Sequence, residues 1–239
     1  MSYKDYRASL NIGEYVDDIY VEVRNWDHIV AFIDAHDKNS LIPPIDSRVP
    51  LLARFSSIAP SYYIEYQSVV NNSEIMTHPS PLQDIIAYNT RGQRKVFTCD
   101  ELKDFIEGLG GYNLANRLPR PPRFPQEMSS YSVWHYKLDY NCLCRDIDYT
   151  EFRNGQISAF IETTGKLNSL QHLRNSFSTI QARLDLQRRI MSNLSNRFNA
   201  PSFIVLHLSD LSYFEVYDLE WNLILEANQQ DYSQWLREL

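Results

Sequence analysis

The stretch CRDIDYTEFRNGQISAFIETTGK, residues Cys144 to Lys166, decides how the chain is read. Asp146 and Asp148 lie one residue apart in a β-prone run, Asn154–Gly155 follows, and ISAFIE then climbs through apolar residues to Glu162. Asn-Gly between two such runs is a strong hairpin signal, because both turn residues must take positive φ. The spacing predicts a strand over CLCRDIDYTEFR, a turn at Asn154–Gly155 and a strand over QISAFIET. Side chains alternate along a strand, so Asp146, Asp148 and Thr150 share one face, and Phe160, Glu162 and Thr164 share one face of the partner. The turn sets Asp148 and Glu162 near one another. Adjacent carboxylates repel, which costs stability unless something offsets it. Two readings stay open: a divalent cation held between the acids, or acids on the solvent face of an ordinary hairpin.

Outward from the hairpin, residues 169–197 carry apolar residues at helical spacing (Leu170, Leu173, Phe177, Ile180, Leu184, Ile190 and Leu194) and predict a long helix. PSFIVLHLS and YFEVYDLE read as strands after it, and DYSQWLREL as a closing helix. Before the hairpin, SSYSVWHYKL reads as a strand, and TCDELKDFIEGLGG as a helix with a Thr98–Glu101 capping box and glycine stop. RLPRPPRFPQ, 117–126, is too rich in proline for helix or central strand. Nearer the N-terminus, DDIYVEVRN, DHIVAFIDAH and SYYIEYQSVV read as strands and SPLQDIIAYNTRG as a short helix.

Composition narrows the function classes. The chain has 239 residues, 44% of them hydrophobic, enough for one large or two small cores. Apolar runs are far shorter than the ~20 residues that span a bilayer, and no secretory signal opens the sequence, so a soluble, cytoplasmic protein without a membrane partner is expected. Cys99, Cys142 and Cys144 lack the spacing of a zinc site or a disulfide framework and read as ordinary thiols. The net charge is −7, yet residues 163–200 hold Lys166, Arg174, Arg183, Arg188, Arg189 and Arg197 against Asp185 alone. Such a stretch is either a solvated helix face or a phosphate-binding surface.

The order helix, three strands, helix, strand, with DIDYTEFRNGQISAFIETT across its second and third strands, resembles the PD-(D/E)xK nuclease superfamily over residues 98 to 225. The resemblance implies an α/β (α+β) fold: a restriction-endonuclease-like αβββαβ core in residues 96–239, preceded by an α+β region of unknown role in residues 1–95. It implies a divalent-metal-dependent nuclease hydrolysing phosphodiester bonds in DNA or RNA, with Mg²⁺ or Mn²⁺ held by Asp146, Asp148 and Glu162. The catalytic set is then Asp148 and Glu162, with Lys166 or Gln181 for the motif lysine, since Thr164 stands at the lysine's own position. Nucleic acid, DNA first, would run along Arg174, Arg183, Arg188 and Arg189 and the strap arginines Arg120 and Arg123; a homodimer or larger assembly fits such a protein. The missing lysine also admits a catalytically inactive binding or assembly protein on the same core, and acids that merely face solvent would leave an unrelated interaction module. PPIDSRVPLLARFSSIAPSYYIEYQ imitates the motif with Asp46 and Glu65, but prolines interrupt it and no hairpin signal separates the acids.

Overall fold

The computed structural model describes residues 1–25, 28–111, 128–139 and 141–239, and for Lys166 its backbone alone. In chain order the described helices and strands are α1 (Tyr3–Ser9), β1 (Glu14–Arg24), β2 (His28–Asp37), α2 (Ile45–Leu52), β3 (Ser61–Ser68), β4 (Leu82–Asn89), β5 (Arg94–Phe97), α3 (Cys99–Gly108), α4 (Ser130–His135), β6 (Cys142–Arg153), β7 (Gln156–Leu167), α5 (Leu170–Phe198), β8 (Ser202–Leu208), β9 (Phe214–Tyr217), β10 (Leu223–Ala227) and α6 (Gln229–Glu238). The protein is mixed α+β. Among the described residues no helix is long and apolar enough to cross a membrane.

The chain forms two compact units, one of Met1–Asp18 with Ile147–Leu239 and the other of Ile19–Asp146. The sequence reading divides the chain near residue 95; the compact units divide it after Asp18 and after Asp146. Phe97, Cys99, Leu102 and Ile106 bury in the core of Ile19–Asp146, whereas Tyr3, Tyr6 and Ile12 bury with Tyr149, Phe214 and Tyr232.

In the first unit the strands run β10-β9-β8-β7-β6. β6 and β7 are antiparallel, β7 and β8 parallel, and β8 and β9 antiparallel. The hairpin turn is as the sequence predicts: Asn154 at φ 52° and Gly155 at φ 72° are both left-handed, the signature of a type I′ turn. One face of this sheet packs Tyr149, Ile161, Val205 and Val216 against α1 and α6, through Tyr3, Tyr6, Tyr232 and Leu236. α5 packs on β7 and β8. Leu173, Ile180, Leu184, Met191 and Leu194 bury along its length, which matches the predicted periodicity, and Asn199 ends it in the left-handed region. α1 escaped the sequence reading although Ser2 and Asp5 form a capping box at its start.

The second unit runs from the later part of β1 through β2-β3-β4-β5. Two expectations fail here. SSYSVWHYKL is not a strand: Ser130–His135 is helical, its N-cap Ser129 accepting from the Ser132 N–H and its Tyr131, Val133 and Trp134 fully buried. SPLQDIIAYNTRG is not a helix: Leu82–Asn89 pairs antiparallel with β3. The Thr98–Glu101 capping box of α3 forms as read. Asp46 lies in the first turn of α2.

Candidate functional site

The β6–β7 ladder runs from Arg153–Gln156 to Tyr149–Ile161. Asp148 and Glu162 are the next residues along their strands, beyond the last pair of the ladder. Tyr149 and Ile161 face α1 and α6, so alternation turns Glu162 to the face of α5, whereas the Asp148 carboxylate reaches the hydroxyl of Thr163, which alternates to the other face. Glu162 Oε1 accepts from Gln187 Nε2 at 2.7 Å, which fixes that orientation independently. Asp148 Oδ2 accepts from the Thr163 N–H at 2.7 Å and from its hydroxyl at 2.6 Å. The carboxylate thus occupies an acceptor position beside β7. Glu162 is buried at 5% exposure. A buried carboxylate needs hydrogen bonds to be tolerated, and Gln187 supplies one.

A further acid stands beside Asp148. Asp18 takes φ 55° within β1, and its carboxylate lies within 4.8 Å of the Asp148 carboxylate. Asp18 was missed by sequence reasoning because a strand-interior aspartate in the left-handed region leaves no mark in the hydrophobic pattern. Asp146, expected among the metal ligands, is the last residue of the other compact unit. Negative charge at this end of β6 is also felt by Tyr149. Burial pushes its hydroxyl far above the usual range, and Tyr3, Asp148, Asp18 and Asp17 add to the shift.

Thr164, at the motif-lysine position, accepts from Arg183 Nη2 at 3.0 Å. The strand step from Glu162 to Thr164 and the helix step from Gln187 to Arg183 therefore match, each one repeat of its element. Arg183, expected only to bind nucleic acid, is the α5 cation brought to the strand of Glu162. A second cation comes from α1: Lys4 pairs with Asp17 and lies 3.5 Å from Asp18.

The proposed stand-ins fare differently. Gln181 sits on α5 two residues from Arg183, a step of about 200° around the helix, and the amide that reaches Glu162 belongs to Gln187. β7 continues through Gly165 to Leu167, and the ladder to β8 shifts register between Thr164 and Leu167. Lys166 is carried on that segment, and its side chain lies outside the described residues. A β-carbon at Gly165 would overlap the His207 ring, so glycine is required here by a close approach and not by a turn.

The arginines expected to line nucleic acid are largely engaged within the unit. Arg174 pairs with buried Glu215 at 2.7 Å. Arg188 and Arg189 both reach Asp185, at 3.2 and 2.9 Å. Arg120 and Arg123 lie outside the described residues.

Asp18 and Asp148 offer only carboxylate oxygens. That hard donor set suits Mg²⁺ or Mn²⁺ and not a softer ion. No protein-family model, curated protein or solved structure matches the chain.

Proposed function

We infer that the protein is a divalent-metal-dependent nuclease of the PD-(D/E)xK kind, acting on phosphodiester bonds in DNA or RNA. The observation that carries this reading is the Asp18–Asp148 carboxylate pair, whose Asp148 is hydrogen-bonded to Thr163, the residue next to Glu162 on β7. The element order supports it as well. α1, β1, β6, β7, α5 and β8 follow one another as αβββαβ once the segment between β1 and β6 is taken as an insertion. The first helix and strand of that core would be Tyr3–Ser9 and Glu14–Arg24, in place of the helix after Thr98 and the run after Ser129.

In this reading Asp148 and Glu162 would hold the cation, with Asp18 beside Asp148. The bound cation supplies a water of lowered pKa and a counter-charge for the scissile phosphate. Gln187 orients the Glu162 carboxylate. Arg183, fixed on Thr164, supplies the positive charge that the motif lysine would bring. A guanidinium cannot serve as a proton acceptor at neutral pH, so its role is confined to phosphate binding and charge stabilisation.

Thr164 in place of lysine, and arginines engaged with Glu215 and Asp185, favour a second reading: the same core kept for binding nucleic acid without cleavage. Nicking of supercoiled DNA and cleavage of single-stranded RNA, each with Mg²⁺ or Mn²⁺, separate the two. Asp148→Asn should lower cleavage about 100-fold or more, as should Arg183→Ala, with partial recovery in Arg183→Lys. Cleavage unchanged in Asp148→Asn refutes the nuclease reading; salt-sensitive DNA binding with no cleavage in any variant supports the second.

A further inference from the structure

Spacing in the sequence argues against a zinc site, because Cys142 and Cys144 have no second pair and no histidine at ligand distance along the chain. The fold of the Ile19–Asp146 unit supplies what the spacing lacks. Glu22 from β1, His135 from α4 and Cys144 from β6 bring a carboxylate oxygen, an imidazole nitrogen and a sulfur all within 4.8 Å of one another.

The surroundings of this cluster are those of a built site. Glu22 is fully buried, His135 is 2% exposed, and Cys144 is partly accessible. Glu22 is bonded by Tyr131, which belongs to the same buried apolar cluster as Tyr20, Trp134 and Cys142. Tyr131 donates to Glu22 Oε1 at 3.2 Å, and His135 Nε2 lies 2.9 Å from Oε2. Arg24 Nη1 is 3.7 Å from Oε2, but the guanidinium is anchored by hydrogen bonds to the Val23 and Ile106 carbonyls. A carboxylate with no contact to water, touching an imidazole and close to a thiol, is expensive to bury for packing alone.

We propose that Glu22, His135 and Cys144 form a transition-metal site of the zinc class, separate from the carboxylate cluster of the nuclease reading and independent of it. One oxygen, one imidazole nitrogen and one thiolate suit Zn²⁺ and its surrogate Co²⁺, and are poor ligands for Mg²⁺. Bond lengths at tetrahedral zinc place neighbouring donor atoms about 3.5 Å apart, so side-chain rotations of about 1 Å close the site. On binding, the Cys144 thiol releases its proton to solvent, and His135 coordinates through Nε2 as neutral imidazole, the Nε2 proton passing through solvent to Nδ1. The Glu22–His135 hydrogen bond is exchanged for two metal bonds, while the Tyr131 hydroxyl still holds the other Glu22 oxygen. Three protein donors leave a fourth position for water, reached from the side of the partly accessible thiol.

The test uses the whole purified chain, stripped of metal and titrated with Co²⁺ alone. Cobalt is expected to bind at one equivalent, with a thiolate-to-cobalt charge-transfer band in the near ultraviolet and the intense visible bands of tetrahedral coordination. Cys144→Ser, which keeps the side-chain volume, should abolish the charge-transfer band and weaken binding at least tenfold, and His135→Gln should abolish the visible bands. Zn²⁺ should displace the cobalt, and millimolar Mg²⁺ should not. Asp148→Asn should leave stoichiometry and spectrum unchanged, which keeps the outcome separate from that of the nuclease reading. Absence of the charge-transfer band in the wild-type protein overturns the proposal. So does a band that survives Cys144→Ser and disappears instead in Cys142→Ser or Cys99→Ser.

Discussion

Replacing Arg7 by methionine should cost the protein about 3 kcal/mol, and the number follows from its surroundings. Arg7, at the end of α1, is 1% exposed, and its partner Glu151 on β6 is fully buried. Nε donates to Glu151 Oε1 at 2.7 Å and Nη2 to Oε2 at 2.6 Å. Nη2 also donates to the Ile12 carbonyl, and the guanidinium carbon lies 4.5 Å from the centre of the Tyr15 ring. Removing one member of a buried pair costs about 3–5 kcal/mol, because the other charge stays in a medium that solvates it poorly. Arg153, with Nη1 at 3.2 Å from Glu151 Oε2, offsets part of that cost, which places the expected loss near the lower end. With a urea m-value of about 2 kcal/mol/M the midpoint should fall by about 1.5 M. Tryptophan fluorescence reports on the right part of the molecule, because Trp235 stacks on Tyr232 and packs edge-on against Phe203 in the same unit. Arg7→Met/Glu151→Leu, which removes both charges, should recover at least half of the loss. A midpoint shift below about 0.5 M for the single variant, or a double variant no more stable than the single one, would show that α1 does not dock on β6 through this pair. The αβββαβ element order would lose its first helix with it.

Other outcomes follow from single contacts. Gly165→Ala drives a β-carbon into the His207 ring, which is held by stacking on Tyr3 and by Phe214; the expected loss is about 1–3 kcal/mol, read by thermal melting, and His207→Ala in the same chain should relieve part of it. Asp34 is buried, which alone would raise its pKa, but the Arg48 hydrogen bonds and His36 more than reverse this and hold it below the usual 3.8. Its stabilisation is therefore complete above the unfolded-state value and is lost as pH falls through the folded value. The stability gap between wild type and Asp34→Asn should accordingly narrow on acidification below about pH 4, and a gap constant from pH 6 to pH 2 would contradict the assignment. Thr98→Ala removes the cap of α3, whose hydroxyl accepts from the Glu101 N–H at 3.2 Å, and should cost about 1 kcal/mol by urea unfolding.

What the sequence determined by itself was carried by short-range chemistry. Asn154–Gly155 tolerates the two positive φ angles of its turn, Thr98 and Glu101 satisfy each other's backbone groups, and the buried positions of α5 recur at helical spacing. Each signal operates within a few residues, so the chain needs no distant partner to express it. The errors arose where a neighbour in space changed the local pattern. SPLQDIIAYNTRG reads as a helix from a start near Ser80 and a stop at Gly92, yet Leu82–Asn89 is a strand with a bulge, with Asp84 at φ 47° and a register shift opposite Glu65–Gln67, which adds a residue to the strand. Tyr131, Val133 and Trp134 favour a strand by propensity, yet a Ser129 cap and complete burial make them helical. Only the tertiary structure decided that residues 1–18 rejoin residues 147–239. It alone decided that Arg183 rather than Gln181 reaches the strand of Glu162, and that Glu22, His135 and Cys144 meet. Contacts across a hundred or more residues depend on strand pairing and on which faces bury together. Those choices are settled by the free energy of the whole core and leave no periodic trace in any one segment.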